Sequence, residues 1–143
     1  AASDVYKRQL VGAEPLAAAE TAAPVSQQAV SVSDADLDLM AAIIECEAGG
    51  ESYEGKIGVG AVIMNRIRSS QFPNTLSEVI YQSGQFSPVA SGRYALRLEQ
   101  GVNNTCMQAA QEVLNGNITN SCLYFRTVID GLEGTIIGHH IFY

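Results

Sequence analysis

Residues 33–68 read SDADLDLMAAIIECEAGGESYEGKIGVGAVIMNRIR, and this stretch sets the expected architecture. Ser33 followed three residues later by Asp36 has the form of a helix N-cap, and Asp34, Asp36 and Asp38 put negative charge in the first turn, where the helix dipole favours it. Leu37, Met40, Ala41, Ile44 and Ala48 then recur at helical spacing and predict one apolar face. Gly49-Gly50 ends the run, as glycines past a helix end commonly do. A second helix is expected over Tyr53–Arg68. Its Ile57, Val59, Ala61, Val62, Ile63, Met64 and Ile67 point in most directions, which marks a central, buried helix. Gly58 and Gly60 cost helix propensity but let a neighbouring chain come close.

Outward from this pair the pattern stays helical. Phe72-Pro73-Asn74 is a turn, and Thr75 with Glu78 is a second capping box that opens a short helix, Leu76–Tyr81. Residues 85–89, QFSPV, read as extended or loop, because the residue before a proline avoids the helical region. Short helices are expected over Arg93–Gln100 and, with Ala109, Ala110, Val113 and Leu114 inward, over 105–114, with Gly116 as the stop. The end of the chain changes character. Residues 122–125 and 136–143 are β-branched or aromatic and are expected to be extended and paired across 130–134. The fold class is therefore α+β, mainly helical, with a small β element.

Composition bounds the rest. The chain has 143 residues, 15 acidic and 8 basic, for a net charge of −7. That balance argues against nucleic acid, whose binding needs clustered Lys and Arg, and against a surface that seeks anionic lipid. No apolar run approaches the ~18 residues that suggest a membrane span, so no membrane insertion is expected. Residues 11–32 are rich in Ala, Ser, Gln and Pro and lack lasting periodicity, so residues 1–32 read as a linker or disordered segment and 33–143 as the domain. Lys7 and Arg8 are not followed by an apolar stretch of signal-peptide type. Cys46, Cys106 and Cys122 are too few and too scattered for a zinc framework. Cys106 and Cys122 enclose a short loop and either pair or remain free, and Cys46 reads as a small helix residue.

Glu45, Glu47 and Glu51 gather at the helix end and just past its glycine break. A carboxylate there that faces a cleft is partly desolvated, which raises its pKa and keeps it protonated, as a general acid requires. Glu45 and Glu47 border the apolar stripe on opposite sides, and periodicity alone leaves the choice between them open. Solvated surface acids remain the plain alternative for all three.

A wider set of residues resembles one family. Glu47-Ala-Gly-Gly-Glu51, Tyr53-Glu-Gly55, Ala61-Val-Ile-Met-Asn65-Arg66, Phe72-Pro73, Val79-Ile80-Tyr81, Gln85-Phe86-Ser87-Pro88, Leu123-Tyr124-Phe125 and Gly138-His-His140-Ile-Phe142-Tyr143 follow the order and spacing of the SleB-like cell wall hydrolases, or spore cortex-lytic enzymes. The resemblance implies a lysozyme-like fold and cleavage of peptidoglycan glycan strands between MurNAc and GlcNAc, as a lytic transglycosylase with one catalytic glutamate, outside the cell in the wall or the spore cortex. It places that glutamate at Glu47, and substrate-binding positions at Glu51, Asn65, Gln85, Phe86, Tyr124 and His140. It implies no cofactor and no metal, and it is silent on any accessory protein. Arg66 is expected to pair with an acid. His139 stands where the family pattern has Asn. The competing readings are a hydrolytic muramidase, an N-acetylmuramoyl-L-alanine amidase, for which only His139 and His140 are available as zinc-binding histidines, and a non-catalytic wall-binding domain.

Overall fold

The computed structural model describes residues 32–143; most of the segment read as a linker, residues 1–31, lies outside them. Helix α1 spans Asp34–Ala48 and starts where its cap residue dictates: Ser33 Oγ accepts from the Asp36 amide at 3.1 Å. Helix α2 spans Tyr53–Arg68, with Ser52 as its cap. Every residue from Gly55 to Met64 is buried, so α2 is the central helix that its apolar circumference predicts. Two glycines make this possible. A Cβ at Gly58 would stand 2.9 Å from the Phe142 ring, and one at Gly60 would stand 2.8 Å from a Val113 methyl.

Helix α1 is buried more widely than its stripe suggests. Ala42 and Ile43 are as inaccessible as Met40, Ala41 and Ile44, whereas Leu37 is only partly covered. The reason is that α1 is enclosed by α2 on one side and by the later helices of the chain on others. Helix α3 is Leu76–Tyr81, opened by Thr75, whose Oγ1 accepts from the Glu78 amide and donates to Glu78 Oε1. Residues 85–89, expected to be extended or loop, keep an extended backbone at Phe86 but then enter a short helix α4, Ser87–Ser91. Pro88 lies in its first turn, where a missing N–H costs nothing and the fixed φ suits the helix. Gly92, at φ +89°, joins α4 to α5, Arg93–Gln100. Helix α6, Asn104–Leu114, begins one residue earlier than its apolar pattern indicates, because Asn103 Oδ1 caps it by accepting from the Cys106 amide at 2.8 Å.

The β element is a three-stranded antiparallel sheet of β1 (Phe125–Thr127), β2 (Thr135–Ile137) and β3 (His140–Phe142), in the order β1-β3-β2. Residues 136–143 are therefore not one strand but a hairpin, broken at Gly138, whose φ is +60°. The chain end pairs with β1, and the connection through 130–134 runs to β2 without β1 and β2 pairing. Mutual backbone bonds of 2.9 Å between Tyr124 and Tyr143 extend the β1–β3 ladder. Phe142, 1% exposed, carries the sheet into the helical core through its contact with Gly58. All three cysteines, Cys106 and Cys122 included, are free thiols. No helix among the described residues is long and apolar enough to cross a membrane.

Candidate active site

The three clustered glutamates have three different environments. Glu45 is committed to structure: its Oε1 accepts from the Asn103 amide at 2.8 Å, and its Oε2 lies 3.7 Å from Arg97. It ties the last turn of α1 to the start of α6. Glu51 is also committed. Its Oε1 accepts from the His139 amide at 3.0 Å and its Oε2 meets His139 Nδ1 at 2.9 Å. These bonds, the backbone one foremost, hold the Glu51 carboxyl below the ordinary glutamate value. The glutamate fastens the β2–β3 turn to the α1–α2 junction, and a Cβ at Gly138 would run into its Oε1. His139, in the place of the family's Asn, supplies both contacts.

Glu47 is the exception. Among the described residues its carboxylate has no hydrogen bond and no ion pair. It lines a cleft of about 680 Å³ together with Tyr81, Gln82, Gln85, Phe86 and Val89. Burial pushes its carboxyl up from the usual range, and the charge of Arg93 partly offsets that. Arg93 begins α5 beside α1, where its carbonyl faces Cys46 Sγ at 3.9 Å. A partly desolvated, unpartnered carboxyl at a cleft wall is chemically a proton donor held ready.

Of the other expected site residues, Gln85 and Phe86 join Glu47 at the cleft. Phe86 is only 5% exposed and belongs equally to the core. Glu51, Asn65, Tyr124 and His140 do not line this cleft. Asn65 donates from Nδ2 to the carbonyls of Asn120 and Cys122, both at 2.9 Å, and so holds the approach to β1. Tyr124 stacks on Tyr143 at 5.4 Å and meets the edge of Phe72. His140 is buried against Phe125 and Phe142, its Nδ1 has no partner, and burial pulls its pKa below the usual histidine value. Arg66 meets no acid among the described residues; it bonds the Leu123 carbonyl at 2.8 Å and Gln85 Oε1 at 2.9 Å.

Tyr81 and Gln82 line the cleft, and Arg93 acts on Glu47 through its charge; the sequence pattern singles out none of the three for the site. Gln82 lines the cleft, and its buried Oε1 lacks a hydrogen-bond partner among the described residues. Its only sequence signal is a polar residue between a short helix and Ser83-Gly84. Among the described residues no three His, Cys, Asp or Glu side chains gather as a metal site would need.

Comparisons with known proteins agree with this architecture. The catalytic domain of the germination-specific lytic transglycosylase SleB from Bacillus anthracis superposes with a TM-score of 0.66 at 34% identity, covering 78% of this chain and 96% of that one. The spore cortex-lytic enzyme of Oceanobacillus iheyensis is 36% identical over 119 residues, 77% of this chain and 42% of the relative. That of Bacillus cereus is 39% identical over 94 residues, 65% of this chain and 35% of the relative. The chain thus spans less than half the length of these curated relatives. The match to the Cell Wall Hydrolase family runs over residues 50–143, from just past Glu47 through the whole β element. With a lysozyme-like fold shared with SleB catalytic domains and a family match over most of its length, the chain belongs to the cell wall hydrolase family.

Proposed function

We propose that this protein cleaves peptidoglycan glycan strands between MurNAc and GlcNAc as a lytic transglycosylase, with Glu47 as its one catalytic carboxyl. The observation that carries this reading is that Glu47, alone of the three clustered glutamates, has no partner among the described residues, is partly desolvated and lines a cleft. It is also the only carboxylate among the described residues lining that cleft. Glycosidases that activate water or form a glycosyl-enzyme need a second carboxylate across the scissile bond. A reaction in which the substrate supplies its own nucleophile does not.

The steps follow from one group changing role. Protonated Glu47 donates to the glycosidic oxygen as the bond from MurNAc C1 to that oxygen breaks. The resulting carboxylate then accepts the proton of the MurNAc 6-hydroxyl as that oxygen bonds C1. A 1,6-anhydro end forms, and Glu47 is again protonated. The nearby Arg93 charge favours the carboxylate between the two transfers. Gln85 and Phe86 contact the sugars, whereas Glu51, Asn65, Tyr124 and His140 serve the site by holding the hairpin and the approach to β1. The substrate places the reaction outside the cell, in the wall or the spore cortex.

The test is Glu47→Gln on purified cortex and vegetative sacculi, with fragments read by mass spectrometry. Loss of release with an unchanged unfolding midpoint supports the assignment, and retained release removes it. Anhydro ends from the wild type identify a transglycosylase; reducing ends identify a muramidase. Binding to sacculi without any release identifies a wall-binding domain.

A further inference from the structure

Arg66, at the end of α2, is a buried cation in an unusual setting. It is 5% exposed, and among the described residues it has no ion-pair partner. Three aromatic rings surround its guanidinium instead, with Cζ at 4.6 Å from the Phe72 centroid, 5.4 Å from Tyr124 and 5.6 Å from Phe86. Two of its five N–H groups are used, by the Leu123 carbonyl and by Gln85 Oε1. A guanidinium has donors and no acceptor, so the end of the Gln85 amide that faces it is necessarily the oxygen. Reversing the amide would set N–H against N–H beside a buried charge. Arg66 does not line the cleft, but Gln85 does. The Gln85 Nε2 group has no acceptor among the described residues.

We infer that Arg66 is a positioning residue that locks the Gln85 amide with its NH2 group free for the cleft, so that the site selects sugars carrying an acetamido oxygen. This rests on the glycan-cleaving reading above and adds a specificity to it. A sugar hydroxyl both donates and accepts, so a fixed donor does little to discriminate among hydroxyls. An acetamido carbonyl only accepts and fits the locked donor. The ammonium left by de-N-acetylation only donates and is opposed by it. The residue that faces substrate is Gln85; Arg66 acts through it.

The experiment compares release from N-acetylated and de-N-acetylated sacculi at mildly acidic pH, where the freed amines are ammonium groups. The wild type is expected to prefer the acetylated strands by about tenfold, the worth of one well-made hydrogen bond. Gln85→Glu keeps an oxygen toward Arg66 and presents an acceptor to the cleft, so that preference should vanish or invert, mainly through KM, with no loss in the unfolding midpoint. Arg66→Met, which removes every donor facing Gln85, should narrow the preference in the Gln85 background and leave it unmoved in the Gln85→Glu background, because a carboxylate has the same atoms either way round. A merely structural arginine would act equally in both. Wild-type cleavage without preference, or a Gln85→Glu variant that keeps it, overturns the locked donor. Should Arg66→Met fail to fold, the Gln85→Glu comparison still decides. Wild-type protein that releases nothing from either substrate overturns the glycan-cleaving reading instead.

Discussion

On the α1 side of the Gly49-Gly50 break, Glu47 lines the cleft with no partner among the described residues, and burial raises its pKa. On the α2 side, Glu51 receives two bonds from His139, and its pKa is lowered. The side chain is the same and four residues separate them, so the difference is wholly one of surroundings. Desolvation without compensation favours the neutral acid; donors aimed at the oxygens favour the anion. Burial on the cleft side leans toward the neutral acid, and the hairpin side uses a carboxylate as a fastener. Glu45 resembles Glu51 in being committed, but to an amide and a distant arginine.

The strongest challenge to this contrast is Glu47→Gln. Removal of a general acid typically costs ~10²–10⁴-fold in rate, and assays on sacculi should show a loss of that order while thermal unfolding is unchanged. An equal loss from Glu51→Gln, with an unchanged midpoint, would break the distinction between the two sites. For Glu51→Ala we expect the reverse balance. The side chain is 12% exposed and accepts two bonds, so denaturant unfolding should show a loss of about 1–3 kcal/mol, with a smaller effect on turnover.

Acidity sharpens the comparison because the two glutamates titrate in opposite senses. Glu51 has a lowered folded pKa, so its stabilisation is present above the ordinary value of about 4.3 and is lost as pH falls through its folded value. Glu47 has a raised folded pKa, so its protonated form favours folding below the ordinary value, and that benefit is lost as pH rises through its folded value. Unfolding midpoints followed against pH should flatten on the acid side in Glu51→Gln and on the higher side in Glu47→Gln. Activity should fall as pH passes the raised Glu47 value. The smallest effect belongs to Glu45→Gln. It keeps an acceptor for the Asn103 amide and removes only a 3.7 Å ion pair with a partly exposed arginine, so a stability change below about 1 kcal/mol and unaltered release are expected.

Local signals in the sequence were read well where the physics is local. Ser33 and Thr75 announce their helices because a cap bond spans only three residues. The apolar circumference of α2 announces its burial. The pattern misleads where a rule of thumb meets its exception or where a partner lies far off in sequence. Pro88 was compatible with a helix start, and Gly138 split an apparently continuous strand into a hairpin. Asn103 capped α6 although it precedes the apolar pattern. Arg66 found a carbonyl, an amide and three rings in place of an acid.

Sequence by itself determined the helical order, the central place of α2, the acidic surface and the cluster of three glutamates, because periodicity, caps and composition are properties of neighbouring residues. Only the tertiary structure decided the surroundings of each glutamate. Asn103, His139 and Arg93 lie dozens of residues from the carboxylates they influence. The protonation tendency of a carboxyl depends on the water it loses and the donors it gains, and both are consequences of which distant segments fold against it.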